Sequence, residues 1–329
     1  MSIDFLKNKT ILVTGGTGSF GKSFIKFLLK NSGVRKIIVF SRDELKQFHM
    51  QQEINDERIR FFLGDVRDLQ RLQRAFNGVD IVVHAAALKQ VPMLEYNPFE
   101  AVKTNINGSQ NVINAAIDTG VEKVLLVSTD KAAQPVNLYG ATKLCAEKLF
   151  ISGNSYTKGI TRFSCVRYGN VLGSRGSIVE ALLNNTLDKV KITDLEMTRF
   201  WITLNQAFDL VLFALDNMEG GEIFIPKIPS MKLVDLFDAL APDIEREVIG
   251  IRPGEKLHEV LLTEQEARHS LELENYYVVL PEFDIVSPDK YQKYSNKAYE
   301  KVKCDFRFAS DSNTDWLTVD SLKELIKSL

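Results

Sequence analysis

The sequence predicts an α/β fold in which a doubly wound parallel sheet is followed by a smaller C-terminal domain. Six short apolar runs rich in β-branched residues alternate with amphipathic helical stretches in the first half of the chain. Continuous apolar runs of this length are typical of strands that are buried on both faces of a parallel sheet. A glycine-rich turn joins the first run to the first helical stretch, which completes the pattern. The length of 329 residues suits one such domain and a smaller second one.

The strand candidates follow one another along the first half of the chain. They are KTILVT, KIIVFS, IRFFLGD, VDIVVHAA, VEKVLLVST and TRFSCVRYG. Helical stretches separate them, for example SFGKSFIKFLLKNSG and DLQRLQRAFNG. The second of these opens on Asp68 and closes on Gly78, which are typical residues for the start and the end of a helix.

Glycine and proline become frequent after about residue 168, as in YGNVLGSRGS and GIRPGEKLHE. We therefore predict two domains, one over residues 1–168 that contains the sheet and one over residues 169–329 that mainly binds the substrate. A helix near residues 204–217, at LNQAFDLVLFALDNM, is expected to pack back on the sheet. Residues 285–329 are polar and weakly patterned, with one late helix at VDSLKELIKSL.

Composition excludes several classes of partner. The net charge is -2, so no global charge draws the chain to nucleic acid or to a membrane surface. No apolar run reaches the length of a membrane span, and the N-terminus lacks the pattern of a signal peptide. The three widely spaced cysteines predict reduced thiols in a cytoplasmic protein. We predict no metal site, because His84 is interpreted as structural and no cluster of ligands surrounds His258.

The glycine-rich turn VTGGTGSFGKSF predicts a dinucleotide site. Gly15 would permit a tight turn, Gly18 would let the backbone approach a pyrophosphate, and Gly21 would let helix and strand pack closely. The free N–H groups and the positive dipole end of the next helix would face the anion. A glycine pattern alone is weak evidence, but here the strand, the turn and the helix stand in the required order. The turn is therefore interpreted as that of a Rossmann-type sheet.

The end of the second strand candidate, VFSRDELK, predicts which dinucleotide binds. An acidic residue at this position binds a ribose 2′-hydroxyl, whereas an arginine accommodates a 2′-phosphate. Ser41 and Arg42 occupy the position and Lys46 lies one helical turn further on, so we predict NADP. Asp43 is interpreted as the N-cap of the next helix, with a ribose contact as the alternative.

The residues expected to contact the cofactor follow the ends of several predicted strands. Asp65 and Val66, after the third strand, are expected to frame the adenine, although Asp65 could equally cap a helix. The full set is Gly15, Thr17, Gly18, Ser19, Phe20, Gly21, Ser41, Arg42, Asp43, Lys46, Asp65, Val66, Ala85, Ala86, Lys89, Tyr139 and Lys143.

The stretch VSTDKAAQPVNLYGATK includes the end of the fifth strand candidate and predicts hydride chemistry at an alcohol carbon. Tyr139 and Lys143 are four residues apart and so share one face of a helix. A tyrosine phenol has a pKa of about 10 and is a poor base at neutral pH. The charge of Lys143 favours the phenolate, so that Tyr139 could accept a proton from an alcohol. Ser128 or Thr129 could hydrogen-bond to the reacting oxygen.

Asp130 and Lys131 add a second acid and a second base, which alcohol oxidation alone does not need. They follow the carboxyl end of a strand, where α/β sheets bind ligands, although a solvated charge pair is the alternative. Oxidation of a sugar at C4 acidifies the hydrogen on C5, so a base can remove it while an acid protonates the C6 hydroxyl and water leaves. We therefore predict a dehydratase that uses redox chemistry internally. Desolvation beside the positive charge of the oxidised nicotinamide is expected to lower the pKa of Lys131 and make it a base.

Seven motifs together resemble the extended short-chain dehydrogenase/reductase family. They are TGGTGSFGK, SRDELKQ, GDVRD, HAAALKQVP, STDKAAQPVNLYGATK, RYGNVLGSRGS and GIRPGEKLHE. From about residue 7 to 285 the chain is similar to the soluble members that dehydrate UDP-N-acetylglucosamine, invert C5 and open pseudaminic acid synthesis for flagellin glycans. Members acting on dTDP-glucose have Asp-Glu in place of Asp130-Lys131, and larger membrane-anchored ones have Met in place of Tyr139. The resemblance implies UDP-N-acetylglucosamine as the substrate and a homo-oligomer, a dimer or larger.

The resemblance also implies a role for each residue of the catalytic stretch. Lys131 would be the base at C5, Asp130 the acid at O6 and Tyr139 the base at O4. Lys143 would support Tyr139 and bind the cofactor ribose. Lys89 would lie near both cofactor and sugar, with a surface lysine in a loop as the alternative. The candidates for the UDP-sugar site are Lys89, Asn170, Arg199, Arg252 and Glu255.

Three alternatives stay open. A sugar 4-epimerase would use Tyr139 and the cofactor but gives no task to Asp130 and Lys131. A C5-inverting dehydratase that serves L-fucosamine-type capsule sugars would have similar catalytic residues. A dinucleotide-sensing binding protein without catalysis would be expected to lack the tyrosine or the lysine, and both are present.

Overall fold

A computed structural model of the chain describes residues 3–157, 159–173, 178–184, 189–282, 291, 294 and 300–327. Its largest feature is a ten-stranded sheet, and the first six strands form at the six predicted apolar runs. They are β1 (Thr10–Thr14), β2 (Lys36–Ser41), β3 (Ile59–Leu63), β4 (Ile81–His84), β5 (Lys123–Val127) and β6 (Arg162–Val166). They pair in parallel in the order β3-β2-β1-β4-β5-β6. This is the doubly wound order, so the predicted fold class is confirmed.

The later strands extend this sheet and form three smaller ones. They are β7 (Asn170–Val171), β8 (Lys189–Ile192), β9 (Thr198–Ile202), β10 (Ile223–Pro226), β11 (Ser230–Lys232), β12 (Glu245–Val248), β13 (Val260–Leu262), β14 (Ser270–Glu272), β15 (Tyr276–Val279), β16 (Glu300–Lys301) and β17 (Phe308–Ala309). β10 pairs in parallel with β6, and β15, β14 and β16 continue beyond it in antiparallel pairs. The sequence analysis did not predict this extension, and the division of the chain near residue 168 stays a prediction.

Helices connect the strands. They are α1 (Ser19–Asn31), α2 (Glu44–Glu53), α3 (Leu69–Phe76), α4 (Val91–Tyr96), α5 (Pro98–Ala101), α6 (Gly108–Thr119), α7 (Leu138–Gly153), α8 (Ile178–Leu183), α9 (Leu204–Asn217), α10 (Leu233–Leu240), α11 (Glu264–Ala267) and α12 (Val319–Lys327). Asp68 caps α3, because its carboxylate accepts a hydrogen bond from the Arg71 N–H at 3.0 Å. No helix in the described part of the chain combines the length and the apolar composition that crossing a membrane requires.

Helix α9 packs against α1 through aromatic rings. Phe208 of α9 lies with its ring centroid 5.8 Å from Phe20, 5.4 Å from Phe24 and 5.3 Å from Phe27. Aromatic contacts at these distances stabilise beyond the area that they bury. The helix therefore covers the main sheet beside the turn that opens α1.

A second, smaller apolar cluster lies away from the main sheet. It brings together side chains that follow β7 or lie in β9, β11, α10 and α12, among them Leu172, Trp201, Met231, Phe237 and Leu322. All five are at most 2% exposed, so this part of the chain has a core of its own.

A buried ion network connects the end of β6 to α7 and α11. The guanidinium of Arg167 donates to Glu147 at 2.7 and 3.2 Å and to Glu266 at 2.9 and 3.0 Å, and it also bonds the Leu261 carbonyl at 2.8 Å. Arg167 is 0% exposed. The charge is therefore fully compensated inside the protein, as buried charges must be.

Arg167→Met should lower the free energy of unfolding by about 3–5 kcal/mol, because it leaves buried carboxylates without a partner. The matched control is Arg162→Met, which breaks a half-exposed ion pair with Glu219 at 3.1 Å and should cost about 0–1 kcal/mol. Urea unfolding at neutral pH measures both variants. Equal losses would contradict a stabilising role for the buried network.

Candidate active site

The glycine-rich turn between β1 and α1 is closed by contacts that leave no room for side chains. Gly15 has a φ of 65°, and a Cβ there would lie 2.9 Å from the backbone of Ala86. A Cβ on Gly21 would lie 2.5 Å from the carbonyl oxygen of Gly15. Gly18 is the N-cap of α1 and has no side chain that could occupy the first-turn N–H groups. The turn therefore has the shape and the donors that a pyrophosphate requires.

A cavity of about 610 Å³ opens beside this turn, at the carboxyl ends of β4, β5 and β6. A smaller hollow of about 270 Å³ adjoins it at the ends of β2 and β3. Every residue predicted to contact the cofactor lines one of the two. The cavity is lined by Gly15, Thr17, Gly18, Ser19, Phe20, Gly21, Lys46, Ala85, Lys89, Tyr139 and Lys143, and the hollow adds Ser41, Arg42, Asp43, Asp65, Val66 and Ala86. Their contacts with a cofactor stay predictions.

Two residues that follow β2 have different surroundings. Asp43 caps the next helix, whereas Arg42 is held only loosely. Asp43 caps α2, because its carboxylate accepts from the Lys46 N–H at 2.9 Å, and their side chains pair at 3.0 Å. The capping interpretation of Asp43 is thus confirmed. The Arg42 side chain is 54% exposed, with Nη1 4.0 Å from the Asp65 Oδ2 that Arg67 already binds at 2.8 Å. Arg42 therefore keeps donors available for a 2′-phosphate.

Tyr139 and Lys143 both face the cavity from α7. Burial raises the pKa of Tyr139 to about 12, against the opposing effects of the Lys131 charge and a hydrogen bond with Thr129. Burial lowers the pKa of Lys143 to about 8, and its ammonium donates to the Val127 carbonyl at 2.8 Å. The Lys131 charge thus also favours the Tyr139 phenolate, and the support that the sequence analysis assigned to Lys143 stays a prediction.

Asp130 and Lys131 form an ion pair in a short 3-10 turn after β5, in which Asp130 is buried and the Lys131 side chain is 24% exposed. The Lys131 Nζ lies 3.1 Å from Asp130 Oδ1 and 3.4 Å from Asn170 Oδ1, and the Thr129 hydroxyl also donates to Asp130 Oδ1 at 2.9 Å. Asp130 is 0% exposed, so the interpretation as a solvated charge pair is wrong. Burial raises the pKa of Asp130, although Lys131 opposes the shift. A carboxyl group whose pKa is raised is suited to act as an acid.

Glu259 is a second carboxylate at this pair, and the sequence analysis missed it. Its Oε1 lies 3.4 Å from the Lys131 Nζ. Burial lowers the pKa of Lys131, but Asp130 and Glu259 outweigh burial and raise it. The expectation of a lowered pKa is therefore wrong for this arrangement. Glu259 ends the motif GIRPGEKLHE, and that motif was the only sequence signal that could have drawn attention to it.

Asn170 and Lys89 are the two substrate candidates that line the cavity. Desolvation and the nearby Lys131 charge lower the pKa of Lys89. Arg252 and Glu255 lie outside the described lining, with Arg252 Nη1 3.7 Å from Glu255 Oε1. The contacts of all four residues with substrate stay predictions.

The Arg199 side chain forms hydrogen bonds within the protein. Its guanidinium donates to the carbonyl groups of Thr198 at 2.6 Å, Leu257 at 3.1 Å and Lys256 at 3.0 Å. It is 9% exposed and does not appear in the described lining of the cavity. These contacts fix the segment that precedes Glu259, and a direct role for Arg199 in substrate binding stays a prediction.

The histidines have structural partners. His84 is buried between the hydroxyl groups of Thr14 at 2.7 Å and Ser109 at 3.3 Å, and burial lowers its pKa to about 3. His258 Nδ1 lies 2.8 Å from the Thr198 hydroxyl. Within the described residues no group of side chains could hold a metal ion.

Comparisons with known proteins agree with this architecture. The family described as polysaccharide biosynthesis protein matches residues 11–281. A UDP-N-acetylglucosamine 4,6-dehydratase (inverting) of Campylobacter jejuni is 51% identical over 326 residues, 97% of each chain. A UDP-glucose 4-epimerase of Rickettsia conorii is 39% identical over 333 residues, 98% of this chain and 96% of the other.

A solved structure is also similar over nearly the whole chain. The crystal structure of Pen from Bacillus thuringiensis matches with a TM-score of 0.88 at 40% identity, and the match covers 98% of both chains. Together with the glycine turn, the doubly wound sheet and the tyrosine-lysine helix, these similarities establish that the chain belongs to the polysaccharide biosynthesis protein family of extended short-chain dehydrogenases/reductases.

Proposed function

We propose that the chain dehydrates UDP-N-acetylglucosamine at C4 and C6, with NADP as cofactor and inversion at C5, to give UDP-2-acetamido-2,6-dideoxy-β-L-arabino-hex-4-ulose. The observation that carries the proposal is the ion pair of Lys131 with the buried Asp130, 3.1 Å apart, with Lys131 at the same cavity as Tyr139. The 51% identical Campylobacter jejuni protein, which bears the name of this activity, supports it. We place the reaction at the start of pseudaminic acid synthesis for flagellin glycans.

The proposed chemistry assigns one proton transfer to each of three side chains. Tyr139 takes the proton of the C4 hydroxyl as that carbon is oxidised. Lys131 then removes the acidified proton from C5, and Asp130 protonates the C6 hydroxyl, which leaves as water. A bound nicotinamide dinucleotide would accept hydride from C4 and return it to C6, and a proton would then be added back to C5 on the opposite face. The close-packed glycine turn, where side chains would clash, fits such a cofactor.

A UDP-sugar 4-epimerase is the second candidate, since relatives with that name are 39% identical. An epimerase returns the hydride to C4 and leaves C6 intact, so it needs no further acid and base. The buried Asp130 carboxyl group beside Lys131 favours the dehydratase, because the pair supplies the second acid and base that an epimerase does not use. A dehydratase for L-fucosamine-type sugars or a dinucleotide sensor would share the fold. Analysis of the product, or the absence of one, would distinguish each of them from the proposed enzyme.

We further propose that residues 169–329 mainly hold the UDP-sugar and that the chain forms a homo-oligomer. Met93, Tyr96 and Phe99 on α4 and α5 are 62%, 87% and 76% exposed. Large apolar side chains that cluster on a surface are typical of contacts with another protein. A second copy of the chain is the partner that this surface suits, in a dimer or larger assembly.

Arg42→Ala should weaken NADP binding by about 1.5–3 kcal/mol, the value of a charge-assisted hydrogen bond, and weaken NAD binding much less. The reason is that Arg42 follows β2, where the 2′-phosphate is recognised, and has no close partner among the described residues beyond Asp65 at 4.0 Å. Titration of each cofactor into the purified protein measures the two affinities. Equal losses would show that Arg42 does not read the 2′-phosphate.

The two halves of the chemistry should separate by mutation. Tyr139→Phe removes the acceptor of the first proton, so no reduced cofactor should form. Lys131→Ala and Asp130→Asn should spare that oxidation better than they spare the loss of water, which they should slow by about 10²–10⁴-fold. Absorbance of the reduced cofactor and mass spectrometry of the product follow the two steps. Nearly full dehydration by Lys131→Ala would contradict the assignment.

Incubation with UDP-N-acetylglucosamine in D₂O should give a product lighter by one water that carries deuterium at C5. Early NMR spectra should show the ring couplings of the inverted L-arabino configuration. A product with the D-xylo configuration before any slow epimerisation in solution would overturn inversion and leave the dehydratase standing. No loss of water would leave the epimerase or the sensor.

A further inference from the structure

Residues 254–259 lie against the catalytic turn through contacts spread along the segment. The Asn137 side chain donates to the Gly254 carbonyl at 2.7 Å, and the Lys256 ammonium donates to the Ala133 carbonyl at 2.7 Å. Both bonds join side chains to the backbone, so they fix the position of the segment relative to the turn. Glu259, at the end of the segment, is thereby carried to the catalytic pair.

Glu259 is held rigidly at that position. Its N–H donates to the Ser310 hydroxyl at 2.9 Å, and its carbonyl accepts from the Ser310 N–H at 2.8 Å. The residue is 2% exposed. A buried carboxylate is costly unless cations compensate it, so its placement 3.4 Å from the Lys131 ammonium requires an explanation.

Three cations surround the Glu259 carboxylate. Lys131 and Arg199 approach Oε1 at 3.4 and 3.9 Å, and Lys256 approaches Oε2 at 3.4 Å. Oε2 accepts no hydrogen bond from the described residues, which leaves the carboxylate held mainly by charge. The titratable and charged groups around Lys131 are Asp130, Tyr139, Lys89, Arg199, Lys256 and Glu259.

We propose that Glu259 is a positioning residue that holds Lys131 as an ammonium in the resting enzyme and so sets when the Asp130–Lys131 pair exchanges its proton. The proposal rests on the proposed dehydratase function. Lys131 must be neutral to remove the C5 proton, and Asp130 must be protonated to donate to O6. Transfer of one proton from Nζ to Oδ1, across 3.1 Å, produces both forms at once.

This transfer balances within the pair. An N–H bond of Lys131 breaks, an O–H bond of Asp130 forms, and the net charge of the pair does not change. Burial raises the pKa of Asp130, which favours the transfer, whereas the carboxylates of Asp130 and Glu259 raise the pKa of Lys131. Once Asp130 is protonated, Glu259 is the negative charge that still favours the ammonium.

The test is the pH dependence of kcat/KM for water loss from UDP-N-acetylglucosamine. The reaction needs the single proton that the pair shares, so activity should fall at high pH as solvent removes that proton. An opposite charge at this distance shifts a pKa by about 1–3 units, so Glu259→Gln should move this falling limb to lower pH by about one unit or more. Glu247→Gln removes a charge from an exposed pair with Lys189 at 3.0 Å and should leave the profile unchanged.

If circular dichroism shows that Glu259→Gln does not fold, two further variants can still test the proposal. Glu259→Asp retains the charge and should keep the limb near its original pH. Arg199→Gln removes a cation that lowers the pKa of Lys131, so the limb should move to higher pH. If Glu259 had a purely structural role, the variants would lose activity, but the limbs of the Glu259→Gln and Arg199→Gln pH profiles would not move in opposite directions.

The outcomes separate the two proposals. A wild-type enzyme that releases no water would overturn the dehydratase and this inference together. A wild-type enzyme that releases water, with a Glu259→Gln limb that stays in place or moves to higher pH, would overturn the role of Glu259 alone. A limb that moves to lower pH for Arg199→Gln would overturn it as well.

Discussion

The buried guanidinium of Arg167 is the interaction on which the arrangement of the catalytic elements depends. It lies at the end of β6 and binds Glu147 of α7 and Glu266 at the start of α11. Glu147 follows Lys143 by one helical turn and accepts a hydrogen bond from the Ser128 hydroxyl at 2.5 Å. One cation thus fixes the end of β5, the helix that carries the tyrosine and lysine, and the C-terminal part that covers them.

A second buried charge cluster uses the same principle nearer the cavity. Glu259 brings the segment before β13 to the catalytic turn, as Glu266 brings α11 to Arg167. In a low dielectric such pairs are strong, and an unpaired member is costly. The C-terminal part therefore supplies charges that complete the site built by the first half.

Local patterns predicted the elements whose residues are close in sequence. The first six strands need continuous apolar runs because both faces are buried, and the Asp43 cap needs only the residues beside it. The role of Glu259 depends on contacts with Lys131 across a long stretch of chain, which no local pattern encodes. The same holds for the strands that extend the sheet beyond β6. The sign of the Lys131 shift was mispredicted for this reason, since burial was visible in the sequence and the second carboxylate was not.

The charges also explain why one lysine can serve two successive steps of the proposed reaction. The Lys131 ammonium lowers the pKa of Tyr139, so it favours the phenolate that accepts the first proton. When Tyr139 becomes neutral, an anion near Lys131 disappears and the ammonium loses part of its stabilisation. Its proton can then pass to Asp130 and leave the amine that the C5 step requires. The first step needs the ammonium and the second needs the amine, so the order of the chemistry follows from the electrostatics of the site.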